Sequence, residues 1–384
     1  MSSHSVDAAA GERAAYVHIP FCNRRCPYCD FAVVDMSRSA HDFDRYVRAV
    51  QAEIRREPAW EPLHAVNLGG GTPSALGPGQ IGDLVSALRN RFGLVSGAEV
   101  SIEANPEDWS PDYAIALHEV GINRVSLGVQ SFDDRVLEYL GRRHSAEQAA
   151  AAVAAGRRAG IGSINVDLIF GAPVESLASW RSTVVRTLEL APDHVSAYAL
   201  TVEPGTELSR AVGAGADAPD DDDQADKYEY FTDAAAVAGL VHYEVSNWAR
   251  PGHGCRYNQT TWAHGEYVAF GTGAHGFRDG VRSRNVRRLD RYLEAIEAGV
   301  KPVAGTESLT GWELDRERVF VGLRRAVGVR AGQAGSELLA SPGGRRLLEA
   351  GVIRGDGDRL VVTNPLLTDA VARELLALTP PGDG

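Results

Sequence analysis

The stretch Tyr16-Val-His-Ile-Pro-Phe-Cys-Asn-Arg-Arg-Cys-Pro-Tyr-Cys-Asp-Phe31 carries three of the chain's four cysteines, Cys22, Cys26 and Cys29, separated by three residues and then by two. Iron-sulfur clusters are usually held by four thiolates, so a tight trio with no fourth nearby points to a cubane with one iron left open. An open metal position is where substrate chemistry takes place. The spacing lets one short loop wrap three corners of a cluster, and Pro27 disfavours a helix there. Buried structural cysteines, or three zinc ligands completed by a distant fourth, are the alternatives. Zinc ligands normally come as two separated pairs, and the remaining thiol, Cys255, is far away in sequence.

Outward from this loop, apolar β-branched runs alternate with helical segments, the pattern of repeated βα units around a parallel sheet. Strands are expected at 15–19, 65–68, 99–103, 124–129, 164–169 and 194–200, with helices at 41–56, 79–91, 111–120, 146–159 and 177–190. Ser110 before Pro111 has the form of an N-cap and first helical residue, and Ser145 with Gln148 has capping-box spacing. Cys22, Gly70, Glu103, Gln130 and Asp167 all fall at or just past the C-terminal half of a strand. In βα barrels that face carries the active site, because strand ends from several units converge there.

Beyond residue 200 the rhythm changes. The acidic run 217–223 is expected to be a solvated loop, followed by a helix at 224–240 and a strand at 241–245. The segment 251–280, rich in Gly, His and aromatics, is expected to be a functional loop. From 309 onward a helix, a polar stretch, a second helix, a short strand at 359–362 and a closing helix suggest a small winged-helix-like unit. The expected organisation is a disordered tail at 1–14, a barrel at 15–245, an extension and connecting loop region at 246–305 and the terminal unit at 306–384.

The 384 residues suit one large α/β unit with a smaller appendage. A formal charge of −12 disfavours general nucleic-acid or anionic-membrane binding, and winged-helix shape alone does not imply DNA binding. The first 15 residues lack a basic start and an apolar core, and no run of about 18 apolar residues follows. A cytoplasmic protein without a transmembrane anchor is expected, and four cysteines exclude a disulfide framework.

The Cys22, Cys26, Cys29 spacing resembles that of the radical S-adenosylmethionine (SAM) superfamily, and His18-Ile19-Pro20-Phe21-Cys22 with Cys29-Asp30-Phe31 resembles its HemN/HemW branch. The resemblance runs from Tyr16 to the C-terminal helix. It implies a partial (β/α)6 barrel with a C-terminal α+β extension and winged-helix-like unit. It also implies a 4Fe-4S cluster on the three cysteines whose open iron chelates the amino and carboxylate groups of SAM. Electron transfer then cleaves a carbon–sulfur bond to give a 5′-deoxyadenosyl radical, chemistry that the cofactors supply.

Carried over by position, Gly70, Gly71 and Thr72 of Gly69-Gly70-Gly71-Thr72-Pro73 contact the SAM amino group, and the loop lacks the Lys of a phosphate-binding loop. Glu103 suits ribose hydroxyls. Gln130, Arg142 and Asp167 match further SAM positions, Arg142 having the fork that binds a carboxylate. Tyr16 and Tyr28 match two more. The residues do not say whether one or two SAM molecules bind.

Within the branch, coproporphyrinogen dehydrogenases carry another cysteine two residues after the third ligand. Here that position is Phe31, and their long N-terminal arm is missing. The chain most resembles the HemW group, heme-binding proteins implicated in delivering heme to client apoproteins. That group has a Cys-Arg-His-Asn-x-x-Tyr-Trp segment whose His is implicated in heme binding. The equivalent here is Cys255-Arg256-Tyr257-Asn258-Gln259-Thr260-Thr261-Trp262, with Tyr257 in place of the His and Thr261 in place of the Tyr. Tyr and Cys both ligate heme iron in other proteins. The candidate heme region is therefore Tyr257, Asn258, Trp262 and His253, with His264 and His275 as further candidates. Gly271-Thr272-Gly273-Ala274-His275-Gly276 matches a branch segment near SAM. Arg282, Arg284, Arg287, Arg288 and Arg291 are either partners for propionates or a solvated helix start.

The function implied is a heme chaperone with heme, SAM and a client protein as partners and no nucleic acid. The alternative is a radical SAM enzyme related to oxygen-independent coproporphyrinogen III oxidase. It would carry out oxidative decarboxylation, methylation or cyclopropanation. The altered Tyr257 segment would suit such a repurposed member.

Overall fold

In the computed structural model, which describes residues 8–36 and 42–380, seven parallel strands form the centre of a twelve-stranded sheet. Six come from the expected βα units: β1 (Arg13–Ile19), β2 (Leu63–Gly70), β3 (Leu94–Ala104), β4 (Arg124–Gln130), β5 (Ser163–Phe170) and β6 (His194–Ala199). They lie side by side in chain order. The connecting helices are α1 (Phe43–Arg56), α2 (Pro78–Phe92), α3 (Pro111–Glu119), α4 (Asp134–Tyr139), α5 (Ala146–Arg158) and α6 (Leu177–Glu189). Ser110 caps α3 through the Tyr113 N–H, and Ser145 and Gln148 form the capping box of α5. The expected start of α1 at residue 41 lies outside the described residues.

Period-two alternation decides which way each strand faces. Val125, Leu127 and Val129 of β4, and Ile164, Val166 and Leu168 of β5, point outward into one core with Leu84, Leu117, Val153, Trp180 and Val184 of the helices. The intervening Ser126, Gln130, Asn165 and Asp167 face the inside of the curved sheet. The exterior of the partial barrel is thus a hydrophobic layer, whereas its interior is polar.

The structure differs from the sequence expectations in several places. Residues 8–14 are not tail: Ala8–Gly11 is a 3-10 helix, Glu12 forms a two-pronged ion pair with Arg256, at 2.7 Å for each contact, and Arg13 opens β1. The acidic run is not all loop. After the short α7 (Glu207–Gly213), Asp220 caps α8 (Asp221–Val237) and Asp221, Asp222 and Asp223 occupy its first turn, where negative charge is favoured by the unpaired N–H groups. Asp223 and Glu175 also neutralise Lys227, whose ammonium is fully buried.

The expected loop 251–280 instead holds α9 (Arg256–Trp262), β9 (Glu266–Phe270) and β10 (His275–Arg278). Strand β9 pairs in parallel with β1 and becomes the seventh parallel strand. Strands β10, β11 (Val281–Asn285) and β12 (Val303–Ser308) continue antiparallel from it. Arg282 and Arg284 therefore sit on β11, not at a helix start; only Arg288 and Arg291 belong to the cap and first turn of α10 (Leu289–Glu297). At the other edge, β7 (Val241–Glu244) and β8 (Asn247–Ala249) form an antiparallel hairpin on β6, so the expected boundary at 245 cuts a hairpin. The boundary at 306 likewise falls inside β12.

The terminal unit has helices α11 (Gly311–Gly322), α12 (Gly332–Ala340), α13 (Pro342–Glu349) and α14 (Thr368–Leu376) around a three-stranded sheet. Those strands are Val329–Arg330, Ile353–Asp356 and Arg359–Val362, in the element order of a winged helix. Its own core contains Val319, Leu338, Ile353, Leu360, Val371 and Leu375. It is tied to the barrel by the Ala326 N–H on the Tyr243 carbonyl at 3.0 Å, and by Arg324, held between the rings of Trp262 and Phe320. No helix among the described residues is long and apolar enough to cross a membrane.

One buried carboxylate staples α1 to the β10–β12 region. Glu53 accepts from the Gly271 N–H (2.9 Å), the Tyr292 hydroxyl (2.7 Å) and Asn285 Nδ2 (2.7 Å). Burial pushes its carboxyl up from 4.5 to about 7. A group with a raised folded-state pKa contributes stability in full below its unfolded value and loses it as pH rises through the folded one. Glu53→Ala should cost about 3 kcal/mol of stability by stranding three donors. It should also flatten the decline in denaturation midpoint between about pH 5 and 7.5; urea titrations at several pH values check both.

Candidate functional site

The backbone at the top of the barrel is built around close approach. The Gly71 N–H donates to the Ile19 carbonyl at 2.8 Å and the Thr72 N–H to the Phe21 carbonyl at 2.7 Å, fastening the glycine loop to the cysteine loop. A Cβ on Gly71 would lie 2.8 Å from Pro20 and Phe21 backbone atoms, and one on Gly69 would lie 2.5 Å from Glu103 Oε1. Gly70 has φ +114°, a conformation that other residues rarely adopt. The cysteine loop is held from its other side by the Leu208 N–H on the Pro27 carbonyl at 2.8 Å and by Arg25 Nε on the Cys29 carbonyl at 3.0 Å.

Cys22, Cys26 and Cys29 are free thiols on the wall of one cavity of about 510 Å³. The same cavity is lined by Tyr28, Gly70, Gly71, Thr72, Glu103, Gln130, Arg142, Asp167 and Asn258. Thr72 Oγ1 donates to Cys22 Sγ at 3.5 Å, and Arg142 Nη1 approaches Cys26 Sγ at 3.7 Å. Arg142 Nη2 is fixed by Asn105 Oδ1 (2.6 Å) and the Gly128 carbonyl (2.9 Å). These donors suit thiolates. Burial pushes the Cys22 thiol up to about 11, so a bound metal would displace protons as it takes the sulfurs. Among the described residues no three His, Cys, Asp or Glu side chains converge on a single-ion site. A cubane does not ask for such convergence, because each thiolate binds its own iron.

Two buried polar atoms beside the cysteines have no partner, Arg142 Nε and Gln130 Oε1. Gln130 also has φ 67°, at the point where β4 leaves register with β5. A strained residue with an orphan acceptor in a cavity is suited to a polar ligand. Opposite it, Glu103 Oε2 accepts from the Gly70 N–H at 3.0 Å; burial, reinforced by Asp167, pushes its carboxyl up to about 7. Burial raises Asp167 too, against hydrogen bonds from Ser126 (2.6 Å) and Asn165 (2.7 Å). Glycine backbone, two carboxyl groups, an amide and a guanidinium thus face one space beside three thiols. This donor and acceptor set fits an amino acid joined to a ribose and lying against a cluster.

Four singled-out residues stand elsewhere. Tyr16, on the inner face of β1, is not part of the cavity lining; its hydroxyl donates to His18 Nδ1 at 3.0 Å while His18 Nε2 donates to the Ala32 carbonyl at 2.9 Å. Tyr257 stacks on Tyr16 at 5.9 Å and meets Tyr267 edge-on at 5.8 Å. Trp262, at the far end of α9, lies under Arg324. The His253 carbonyl accepts from Arg124 at the barrel floor. Tyr257, Asn258, Trp262 and His253 therefore do not share one pocket; only Asn258 reaches the cavity.

The lower half of the cavity escaped sequence reasoning. His194 Nδ1 pairs with Asn165 Oδ1 (2.6 Å) and its Nε2 with the Tyr243 hydroxyl (2.8 Å), next to Ser196 and the buried Arg124. Cys255 closes the floor, its thiol directed at Glu99 at 3.7 Å. The missed signal is alternation: strands of a parallel sheet covered on both faces read as continuous apolar runs, whereas β4 sets Arg124, Ser126 and Gln130, and β5 sets Ser163, Asn165 and Asp167, on one face.

The sequence pattern of the radical SAM superfamily matches residues 16–185. The chain is 41% identical over 371 residues to the heme chaperone HemW of Mycobacterium tuberculosis, covering 94% of both chains. It is 34% identical to HemW of Synechocystis, covering 94% of this chain and 91% of that one, and 35% identical to HemW of Escherichia coli over 75% and 79%. Among solved structures, coproporphyrinogen III oxidase (HemN) from Escherichia coli superposes with a TM-score of 0.82, covering 98% of this chain and 93% of the other at 24% identity, a likeness of fold.

Gly71→Ala should lower the iron bound per chain after anaerobic reconstitution, because the added methyl group presses on Pro20 and Phe21. The melting temperature should move by only a few degrees, about 1 kcal/mol for a local adjustment. Iron analysis and a thermal melt check this, and undiminished iron would count against the glycine contact as what seats the loop.

Proposed function

We propose that this chain, which belongs to the radical SAM superfamily and within it to the HemW family, is a heme chaperone that carries a 4Fe-4S cluster, binds SAM and passes heme to a client protein. The observation that carries the proposal is the 41% identity to a heme chaperone across 94% of both chains. Phe31, where the porphyrin-decarboxylating relatives place a further cysteine, supports it.

In this proposal Cys22, Cys26 and Cys29 hold three corners of the cluster. When bound, the cluster supplies an open iron and an electron. Arg142 sets a positive charge beside the Cys26 sulfur and offsets the charge of the thiolates. Gly70 and Gly71 leave room for the SAM amino group, and Glu103 accepts from ribose hydroxyls. Gln130 Oε1 and Arg142 Nε take the ligand atoms that satisfy them, with Asp167 and Tyr28 bounding the cavity. Tyr16 acts through His18, which holds the Ala32 end of the cysteine loop. Three thiols that must stay reduced suit a cytoplasmic location.

Anaerobically reconstituted protein should develop a Soret band on hemin titration. With dithionite and SAM it should leave coproporphyrinogen III undecarboxylated in a chromatographic assay. A decarboxylated product would favour the oxidase-like enzyme instead. Cys29→Ala should lose the cluster absorbance whichever function holds.

A further inference from the structure

The heme-binding segment expected from sequence does not offer its tyrosine to a ligand the size of heme. Tyr257 is packed between Tyr16 and Tyr267 inside the sheet. Burial pushes its phenol well above the ordinary value, which disfavours the tyrosinate that iron would need. His264 is engaged by Glu317 at 3.3 Å and lies 4.5 Å from the Phe277 ring. His253 stays at the barrel floor beside Arg124.

His275 differs from all of these. It opens β10, is exposed, and its ring makes no hydrogen bond or ion pair among the described residues. Its cross-strand partner is Arg284, so the two side chains leave the same face of the ribbon. Arg284 also has no hydrogen bond or ion pair among the described residues; its guanidinium lies over Gly305, where a Cβ would come within 3.2 Å of Nε. Arg287 borders the same place and donates to the Asp30 carbonyl at 3.1 Å. Arg282, two residues before Arg284, is already taken by Glu317.

The patch is continuous with the cysteine loop. A Cβ on Gly273 would lie 2.8 Å from Ala32 Cβ, and Arg287 holds Asp30, so the segment between them is pinned beside His275. The residue at its centre, Phe31, is 56% exposed, a large apolar ring held at the surface. An unengaged imidazole, two guanidinium groups and an exposed aromatic ring are the groups that an iron tetrapyrrole with two carboxylates requires. We propose that His275 is the axial ligand through which this chain takes up heme, with Arg284 and Arg287 receiving the propionates and Phe31 packing on the macrocycle edge. Partial desolvation, and after it the charges of Arg284, Arg287 and Arg282, disfavour a positive charge on His275, which keeps a ring nitrogen free for iron.

The assignment rests on the heme-chaperone function proposed above. Its test is hemin titration of the full, cluster-loaded chain, read by Soret position and affinity, in wild type, His275→Ala, Arg284→Glu and Tyr257→Phe. His275→Ala should shift the band and weaken binding by about tenfold or more, and free imidazole should restore the wild-type band. Arg284→Glu should weaken hemin about tenfold yet leave hemin dimethyl ester, which has no carboxylates, unchanged. Tyr257→Phe should keep the wild-type band. Hemin uptake unaltered by His275→Ala, or a band lost in Tyr257→Phe, overturns the ligand alone. A wild-type chain that takes up no hemin overturns the chaperone function with it.

Discussion

The backbone contact between the glycine loop and the cysteine loop is the constraint on which the rest of the site depends. The parallel register of β1 and β2 sets Ile19 beside Gly70. From there two main-chain hydrogen bonds carry the pairing past the strand ends, Gly71 to Ile19 and Thr72 to Phe21. Only a residue without a Cβ permits so short an approach. The contact brings Thr72 to Cys22 and, through the Gly70 N–H, brings Glu103 to the same space. Three successive units are thereby aimed at one cavity by backbone geometry.

The second consequence is electrostatic. A barrel interior lined by Glu103, Asp167, Arg124, His194 and Arg142 would be costly if it served only to fill space, because buried charges and unpaired polar atoms are destabilising. The network meets part of that cost internally, through the Ser126, Asn165 and Ser196 bonds around Asp167. The residue of it, Arg142 Nε and Gln130 Oε1, faces the cavity. The hydrophobic layer outside the strands holds the shape in which such a polar interior can persist.

The six βα units were legible because each has a long apolar run and recognisable helix starts, such as Ser110-Pro111 and Ser145 with Gln148. The cysteine loop and the residues at strand ends were legible because their positions follow from that order. Strand β9 was not: Glu266–Phe270 is five residues long and follows a stretch of Gly and His, so its place beside β1 is set by tertiary pairing. The acidic run misled because repeated Asp reads as solvated surface until a helix begins at Asp221. Arg282 and Arg284 looked like a helix start because charge, not alternation, dominates β11. The candidate heme segment shows the limit of motif reasoning most clearly. It names Tyr257, Asn258 and Trp262, yet α9 sends one to the Tyr16 stack, one to the cavity and one to the terminal unit.

That dispersal gives α9 a structural position between the cofactor cavity and the C-terminal unit: Asn258 and Cys255 border the cavity floor, and Trp262 is clasped by Arg324. A protein whose task is to carry heme needs its cargo near a surface and its cofactors in a recess, and the exposed Phe31 on the border of the cysteine-lined cavity has that arrangement. The most direct measurement is heme transfer from the hemin-loaded, cluster-containing chain to an apo-b-type cytochrome, followed by the growth of the cytochrome's own Soret band. Transfer should run to completion and be faster than from hemin presented on serum albumin. Hemin that stays on the chain, or reaches the cytochrome no faster than from albumin, would contradict it.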